Sequence, residues 1–213
     1  MWRTKHNLIG LFIFLTGNLG FGHPVAYKGA VSLMAFNQPD MQDWQVLYTV
    51  ARNLSLGVDY IHDTMSGTER FYLVPRISWL MKRWNGEDYQ ANIYVVGGAG
   101  GVRKDSAIEL VGEGSVEADY ETRKVYVSGK ATVIGAKNTD TLAVYQFRTG
   151  FAPYAGEYEG LNAWLIGQVQ YFPFSNEESV RVGPVLRLFY QNVLWEVGVS
   201  ARGTWNFNFM VHF

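Results

Sequence analysis

Hydrophobic and polar side chains alternate along most of this chain, and the alternation is most regular in the last ten residues. From Trp205 to Phe213 every second side chain is aromatic or aliphatic, and the residues between them are mostly polar. A period of two is typical of a β-strand with one apolar and one polar face. The end of the chain is therefore predicted to be a two-faced strand.

Similar alternating segments, separated by turn residues, predict eleven further strands. No long helical period follows residue 22 and no linker divides the chain, so residues 23–213 are predicted to form a single domain. The twelve predicted strands cover residues 27–36, 43–52, 54–62, 70–83, 88–103, 107–120, 124–135, 140–152, 160–172, 179–190, 193–201 and 204–213. Ten strands are the alternative, for the case in which the first strand or the 107–135 hairpin does not form.

The two faces of the predicted strands differ in charge. Trp44, Val46 and Tyr48 share one parity, for example, and along the chain the opposite parity carries most of the charged residues. A charge that faces hydrocarbon at the bilayer midplane costs about 2–4 kcal/mol for Arg or Lys. We therefore predict an all-β fold, an antiparallel transmembrane up-and-down β-barrel with a lipid-facing outside and a polar inside. A secreted β-sandwich is the alternative.

One hairpin turn follows from parity alone. Tyr190 and Val193 both belong to apolar faces, and a two-residue turn at Gln191-Asn192 places them opposite each other on the same face. Without that turn, residues 180–201 would form a single strand about twice the usual length.

Residues 1–22 have the layout of a secretory signal peptide. Arg3 and Lys5 precede an apolar run of eight residues, 8–15, and a small, polar stretch ends at Gly22. The run is too short to cross a bilayer as a helix, which needs about 20 residues. We predict cleavage after Gly22, which would make His23 the first residue of the mature chain.

Composition narrows the function classes. Hydrophobic residues make up 48% of the chain, yet no run beyond residue 22 approaches the length of a membrane helix. The chain has no cysteine, which excludes disulfides and a lipoprotein anchor. Removal of residues 1–22 takes away two of the 18 basic and none of the 19 acidic residues, so the net charge falls from −1 to −3. No basic patch indicates nucleic-acid binding.

The terminal strand resembles the C-terminal signal strand of Gram-negative outer-membrane β-barrel proteins, because aromatic residues occupy alternate positions and the chain ends on Phe213. In that family the strand is read by the barrel-assembly machinery. The resemblance implies that Phe209 and Phe213 form an assembly signal, and that outer-membrane lipid and the assembly machinery are partners. With an even number of strands, both termini are expected in the periplasm. No subfamily is indicated.

The inward parity is charged and zoned. An acidic wall is predicted on residues 107–120 and a basic wall on residues 181–202, and lumen charge tunes selectivity in barrels. This pattern favours a narrow porin-like channel for small charged or polar solutes. A plugged structural or envelope barrel, held by cross-strand ion pairs, is the alternative. The candidate pore-lining residues are Glu109, Glu113, Glu117, Lys130, Arg148, Arg181, Arg187, Glu196 and Arg202.

A barrel lipid hydrolase is a further alternative, because Asp59, His62, Asp63 and Ser66 lie close together in sequence. An acid, a base and a nucleophile must converge in space to act together. Asp59 and His62 are three residues apart, so they lie on opposite faces of a regular strand. The sequence therefore predicts no catalytic residues and favours a non-enzymatic function.

A copper-linked envelope protein is the last alternative. An N-terminal His23 can chelate copper through its amine and its ring, and Met34, Met41 and Met65 could add soft ligands. Metal binding needs a convergent ligand set, and the sequence shows none. We therefore predict no metal site and no cofactor.

Deletion of Phe213 is expected to lower insertion into the outer membrane and to induce envelope stress, because the assembly machinery would no longer read the terminal strand. Secretion across the inner membrane should be unchanged. Immunoblots of fractionated membranes measure the effect, and equal outer-membrane levels with and without Phe213 would contradict the prediction.

Overall fold

The chain forms a closed barrel of twelve antiparallel strands in the computed structural model, which confirms the predicted strand number. The structure describes residues 23–137, 139, 141–154, 160–176 and 178–213, so the predicted signal peptide lies outside the described residues. No residue within those ranges belongs to a helix long and apolar enough to cross a membrane. The strands are β1 (Val31–Gln38), β2 (Met41–Ala51), β3 (Leu54–Asp63), β4 (Arg70–Asn85), β5 (Tyr89–Lys104), β6 (Ala107–Thr122), β7 (Val125–Ala136), β8 (Leu142–Phe151), β9 (Asn162–Tyr171), β10 (Val180–Tyr190), β11 (Val193–Val199) and β12 (Trp205–His212).

Each strand pairs with its neighbours in sequence, and β12 pairs with β1 to close the wall. The closing register runs from Ser32 opposite His212 to Asn37 opposite Phe207. Beyond it, the Phe213 N–H donates to the Val31 carbonyl at 2.8 Å. The end of the barrel that carries residue 23 and residue 213 is called the near end below, and the opposite end is called the far end.

The outer face of the barrel is apolar. On β4, Leu73 and Ile77 point outwards and are 57% and 51% exposed, whereas Tyr72 and Val74 point inwards and are buried. The same alternation recurs around the wall, as the sequence pattern predicts. An exposed apolar surface of this extent is typical of a surface that meets lipid.

Exposed aromatic residues lie towards both ends of the apolar belt. Stacked pairs occur in both groups, with ring centroids 5.5 Å apart for Tyr89 and Tyr120 and 6.0 Å apart for Tyr145 and Tyr171. Aromatic girdles of this kind flank the apolar band of outer-membrane barrels. The near-end group includes Tyr48, Tyr89, Tyr120, Phe151 and Tyr190, and the far-end group includes Trp44, Tyr60, Tyr145, Tyr171 and Trp205.

Two local departures from strict alternation were not predicted. β1 begins at Val31 rather than at residue 27, because residues 27–30 form a turn at the near end. The Gly29 N–H in this turn donates to the Thr49 carbonyl at 2.8 Å. A register shift in β4 between Leu80 and Lys82 reverses the parity of the strand end. Lys82, which would point inwards if the alternation of Tyr72 and Val74 continued unbroken, is therefore exposed and lies 5.7 Å from the ring centroid of Trp84.

Replacing Ile77 in the middle of β4 with Arg tests the lipid-facing assignment. We expect a loss of about 2–4 kcal/mol in the free energy of unfolding from lipid vesicles, because the new charge faces hydrocarbon. Urea titrations followed by tryptophan fluorescence measure it. Ser106→Arg, which adds the same charge in the exposed β5–β6 turn, is the control and should have little effect. A loss below about 0.5 kcal/mol for Ile77→Arg, the usual size for a water-facing substitution, would contradict the assignment.

Candidate functional site

The lumen is the part of the barrel where polar and charged side chains collect. Of the residues predicted to line a pore, seven point into the lumen, and five of these are buried. Glu109 is half-buried near the far tip of β6, away from the central cavity, and Arg202 is exposed in the far turn between β11 and β12. The seven are Glu113, Glu117, Lys130, Arg148, Arg181, Arg187 and Glu196.

A cluster with excess negative charge lies on the β2–β7 side of the lumen; we call it the acidic cluster. Arg76 donates a hydrogen bond to Asp59, and its Nη1 lies 3.7 Å from Glu113 Oε1. Lys130 Nζ lies 3.9 Å from Glu117 Oε2. When ionised, four carboxylates face two cations, which leaves a net charge of −2. The members are Asp43, Asp59, Arg76, Glu113, Glu117 and Lys130.

Several polar atoms of the acidic cluster have no hydrogen-bond partner among the described residues. Asp43 Oδ1, Asp59 Oδ1, Glu113 Oε2 and Arg76 Nε are all buried in this state. A buried polar atom without a protein partner is costly unless water or a solute satisfies it. This wall of the lumen therefore retains capacity to bind water, ions or polar groups.

A second cluster, the basic cluster, lies on β8–β12. Glu196 accepts hydrogen bonds from the two terminal nitrogens of Arg148, Nη1 and Nη2, at 3.0 and 2.8 Å. It also accepts one from the Nε of Arg187 at 2.7 Å. Asn208 donates to the second Glu196 oxygen at 2.7 Å, and Arg148 also donates to Gln168 at 2.7 Å. Two guanidinium groups share one carboxylate, so this side carries a net charge of +1.

A cavity of about 60 Å³ with a mixed polar and apolar lining lies between the two clusters. A single water needs a cavity volume of about 10–15 Å³, so this cavity has room for several waters. Its wall combines Glu117 and Lys130 on one side with Arg148, Arg187 and Glu196 on the other. Carboxylates therefore outnumber cations on one side of this cavity, and on the other side Arg148 and Arg187 share the single carboxylate of Glu196.

The far half of the lumen is divided into an apolar and a polar part. The apolar part is a buried cluster along β2–β8, into which Met65 and Phe172 project from far-end loops. The polar part follows β9–β12, where Gln168, Gln170 and Arg181 line a small cavity of about 10 Å³. We call this second part the polar track, because it leads from the basic cluster to the far end. Arg181 donates there to Gln38 at 2.5 Å and also to Asp40.

His23 lies at the near mouth of the lumen, where the sequence predicted no partner for it. His23 Nδ1 lies 3.5 Å from Asp119 Oδ2, and its Nε2 lies 3.7 Å from Glu121 Oε1. Its ring stacks on Tyr94 with centroids 5.3 Å apart. Burial lowers the pKa of His23, but the nearby carboxylates of Glu121, Asp119 and Glu117 outweigh burial and raise the pKa above its ordinary 6.5. No sequence signal near residue 23 points to β6.

The residues weighed for a hydrolase do not converge. Asp59 points into the lumen towards Arg76, whereas His62 points outwards, 3.0 Å from Glu69 Oε1, and stacks on Phe71. Within the described ranges, no group of three His, Cys, Asp or Glu residues is arranged to hold a metal ion.

A serine–histidine pair that the sequence did not suggest lies at the barrel seam. Ser32 Oγ and His212 Nδ1 are 2.6 Å apart, and both residues are buried. The Ser32 side chain has no exposed surface to offer a substrate. The pair joins β1 to β12 and acts as a polar link across the seam.

Comparison with known proteins adds evidence on the fold. No protein-family model and no curated protein matches the sequence. The solved structure of KdgM porin in complex with disordered oligogalacturonate aligns with a TM-score of 0.52 at 8% identity, over 86% of this chain and 98% of that chain. A second KdgM porin structure aligns over the same shares with a TM-score of 0.47 at 10% identity, which is too low to add weight. The first likeness supports the fold alone: the closed antiparallel barrel of this chain resembles that of an outer-membrane porin.

Glu196→Gln tests the basic cluster. Removal of the carboxylate leaves Arg148 and Arg187 buried beside each other, and loss of one partner of a buried ion pair costs about 3–5 kcal/mol. We expect a loss of this size in the free energy of unfolding, measured by urea titration in detergent micelles. Glu87→Gln, an identical change in the exposed β4–β5 turn, is the control. Equal stability of the two variants would show that Glu196 does not hold the cluster together.

Proposed function

We propose that this protein is a narrow porin-like channel of the outer membrane that passes small charged or polar solutes. The observation that carries the proposal is the cavity between the acidic and basic clusters, together with a second, smaller and polar cavity in the polar track towards the far end. Opposed charges across a constriction orient dipolar and charged solutes and set selectivity. The apolar outer belt and the barrel fold support a location in the outer membrane.

The cavity dimensions set the size of the proposed solutes. The two cavities, of about 60 Å³ and about 10 Å³, have room for a few waters or a small ion. A larger solute, such as the oligogalacturonate named with the KdgM porin, would need side chains of the lumen to move. We therefore assign small inorganic ions and small polar molecules as the solute class.

The proposed orientation places the near end in the periplasm. Three near-end turns, 52–53, 123–124 and 191–192, contain two residues each. Four far-end connections, 64–69, 137–141, 172–179 and 200–204, are longer, whereas 39–40 and 105–106 also contain two residues each. Short periplasmic turns and longer outer loops are the rule in this class of barrel. The near-end connection between β8 and β9 is a long exception.

The partners expected from the sequence fit the same orientation. Phe213 is 63% exposed at the near end, and the Phe209 ring lies 6.2 Å from the Trp195 ring on the outer face. Both aromatic residues would be available to the assembly machinery from the periplasm before the seam with β1 closes.

A plugged structural barrel is the second candidate function. The observation that favours it is the apolar cluster in the far half of the lumen, whose ten buried members fill one side of that half. Structural barrels need a filled interior, whereas a channel needs one continuous polar route. Ion conduction therefore distinguishes the two candidates.

Conductance in planar bilayers tests the proposed channel. We expect discrete current steps from the purified mature protein. In Arg181→Gln the reversal potential should shift in the direction of greater cation selectivity, because Asp40 and Glu178 lose the cation that they share. Arg202→Gln removes the same residue type from the exposed far turn and should leave selectivity unchanged. Absence of current steps in the wild-type protein would overturn the channel and support the structural barrel.

A further inference from the structure

The described chain begins inside the barrel. His23 contacts Asp119 and Glu121 on β6, whereas residue 30 leads directly into β1. β1 and β6 are five strands apart in a ring of twelve, so they lie almost opposite each other. Residues 23–30 must therefore cross nearly the full width of the lumen at its near end.

This segment forms part of the wall of the central cavity. Pro24 lines the cavity itself, and Val25, which is 2% exposed, packs against Leu80 and Tyr94. Any solute that moves between the cavity and the near end has to pass these residues.

The attachment of the segment is uneven along its length. Its hydrogen bonds to the barrel lie near β1, where Ala26 N–H donates to Thr49 Oγ1 at 3.3 Å and Gly29 N–H donates to the Thr49 carbonyl at 2.8 Å. His23 is held instead by ring stacking and by charge. Gly29 has a φ of +91°, which makes a tight turn before β1 and a natural pivot.

We propose that residues 23–26 form a displaceable plug that closes the near mouth, with His23 as its latch against Asp119 and Glu121. The plug is an autoinhibitory element of the barrel, and its consequence for transport rests on the proposed channel function. Displacement about the Gly29 turn would open the cavity to the near end while every strand pair of the barrel stays intact.

The charges around the latch favour its protonated form. β6 presents Glu117, Asp119 and Glu121 to the ring, and two of their oxygens, Asp119 Oδ2 and Glu121 Oε2, have no hydrogen-bond partner among the described residues. The other oxygen of Asp119 accepts from Asn92 at 2.7 Å, which orients Oδ2 towards the ring. The remaining polar groups that face this pocket are Tyr94 on β5, Arg83 on β4, which donates to Tyr94 at 3.2 Å, and His212 on β12.

The latch is expected to weaken as pH rises. The closed plug raises the pKa of His23 above 6.5, so closure is fully favoured below about pH 6.5 and loses its advantage as pH rises through the raised pKa. Within that window the ratio of open to closed plug increases by up to about tenfold per pH unit. Cleavage after Gly22 would add an α-amine to the same residue, with an ordinary pKa of about 7.7–8.0, and its deprotonation acts in the same direction.

Cysteine labelling tests the plug without any assumption about transport, because the natural chain contains no cysteine. The mature Val25→Cys protein, with its N-terminus verified by mass spectrometry, is treated with a water-soluble thiol reagent in detergent micelles. The labelling rate is divided by that of Ser106→Cys, an exposed position in the β5–β6 turn, so that the pH dependence of the reagent cancels. We expect a low ratio at pH 6 and a higher ratio at pH 8.5.

Two histidine variants in the Val25→Cys background identify the latch. His23→Ala should raise the labelling ratio at pH 6 towards the value that the parent reaches at pH 8.5, and should reduce the dependence on pH to the part that the α-amine contributes. His62→Ala removes a histidine from the outer face and should behave like the parent. A labelling ratio that is high at both pH values in the parent would overturn the plug. So would a ratio at pH 6 that His23→Ala leaves unchanged.

Conductance then separates the plug from the proposed channel. With the plug confirmed by labelling, His23→Ala should conduct more than the wild type at pH 6, and His62→Ala should not. Equal currents from wild type and His23→Ala would show that the plug does not close the conducting path, which overturns the inference while the channel stands. If no variant conducts, the channel proposal fails, and the labelling ratios still decide whether His23 latches the segment.

Discussion

The rest of this structure depends on backbone hydrogen bonding in a hydrocarbon medium, which has no hydrogen-bond donors or acceptors of its own. A wall surrounded by hydrocarbon must pair every N–H and C=O within itself, and a sheet can do so only if its first and last strands meet. Here β1 and β12 meet in register from Ser32 to Asn37, and Phe213 continues the pairing beyond the last strand. The buried contact between Ser32 and His212 adds a side-chain link to the same seam.

Closure has an electrostatic consequence for the inside of the barrel. Once the wall is shut, every inward side chain shares one narrow space, and buried charges need compensation there. Arg148 and Arg187 meet that need through a single carboxylate, Glu196, with Asn208 completing its hydrogen bonds. The acidic cluster is less complete, since Asp59 and Glu113 each keep a buried oxygen without a partner among the described residues. Excess charge of opposite sign therefore lies on facing walls of the lumen.

A barrel of this size is narrow enough for side chains and a short segment to fill it. Apolar residues fill one side of the far half, ion pairs fill the centre, and residues 23–26 lie across the near end. The space that remains is small, and both polar and apolar side chains line it.

The sequence by itself determined the wall. Alternation at Trp44, Val46 and Tyr48 places those side chains outside, because successive residues of any strand face opposite ways. The turn at Gln191-Asn192 is predictable for the same local reason, and Gln191 adopts the positive φ of 52° that a tight hairpin turn requires. Parity also assigned Arg148, Arg187 and Glu196 to the lumen, since charge is excluded from the lipid face.

The tertiary structure alone decided which inward side chains meet. Arg148 and Glu196 are 48 residues apart, and Arg181 and Asp40 are 141 residues apart, so no local period relates them. Their contacts depend on strand stagger and on barrel width, which are properties of the closed sheet. The crossing of His23 to Asp119 has the same origin, because only closure brings β6 opposite β1. A two-residue period is a local property of the backbone, whereas contacts across a lumen exist only after the whole wall has formed.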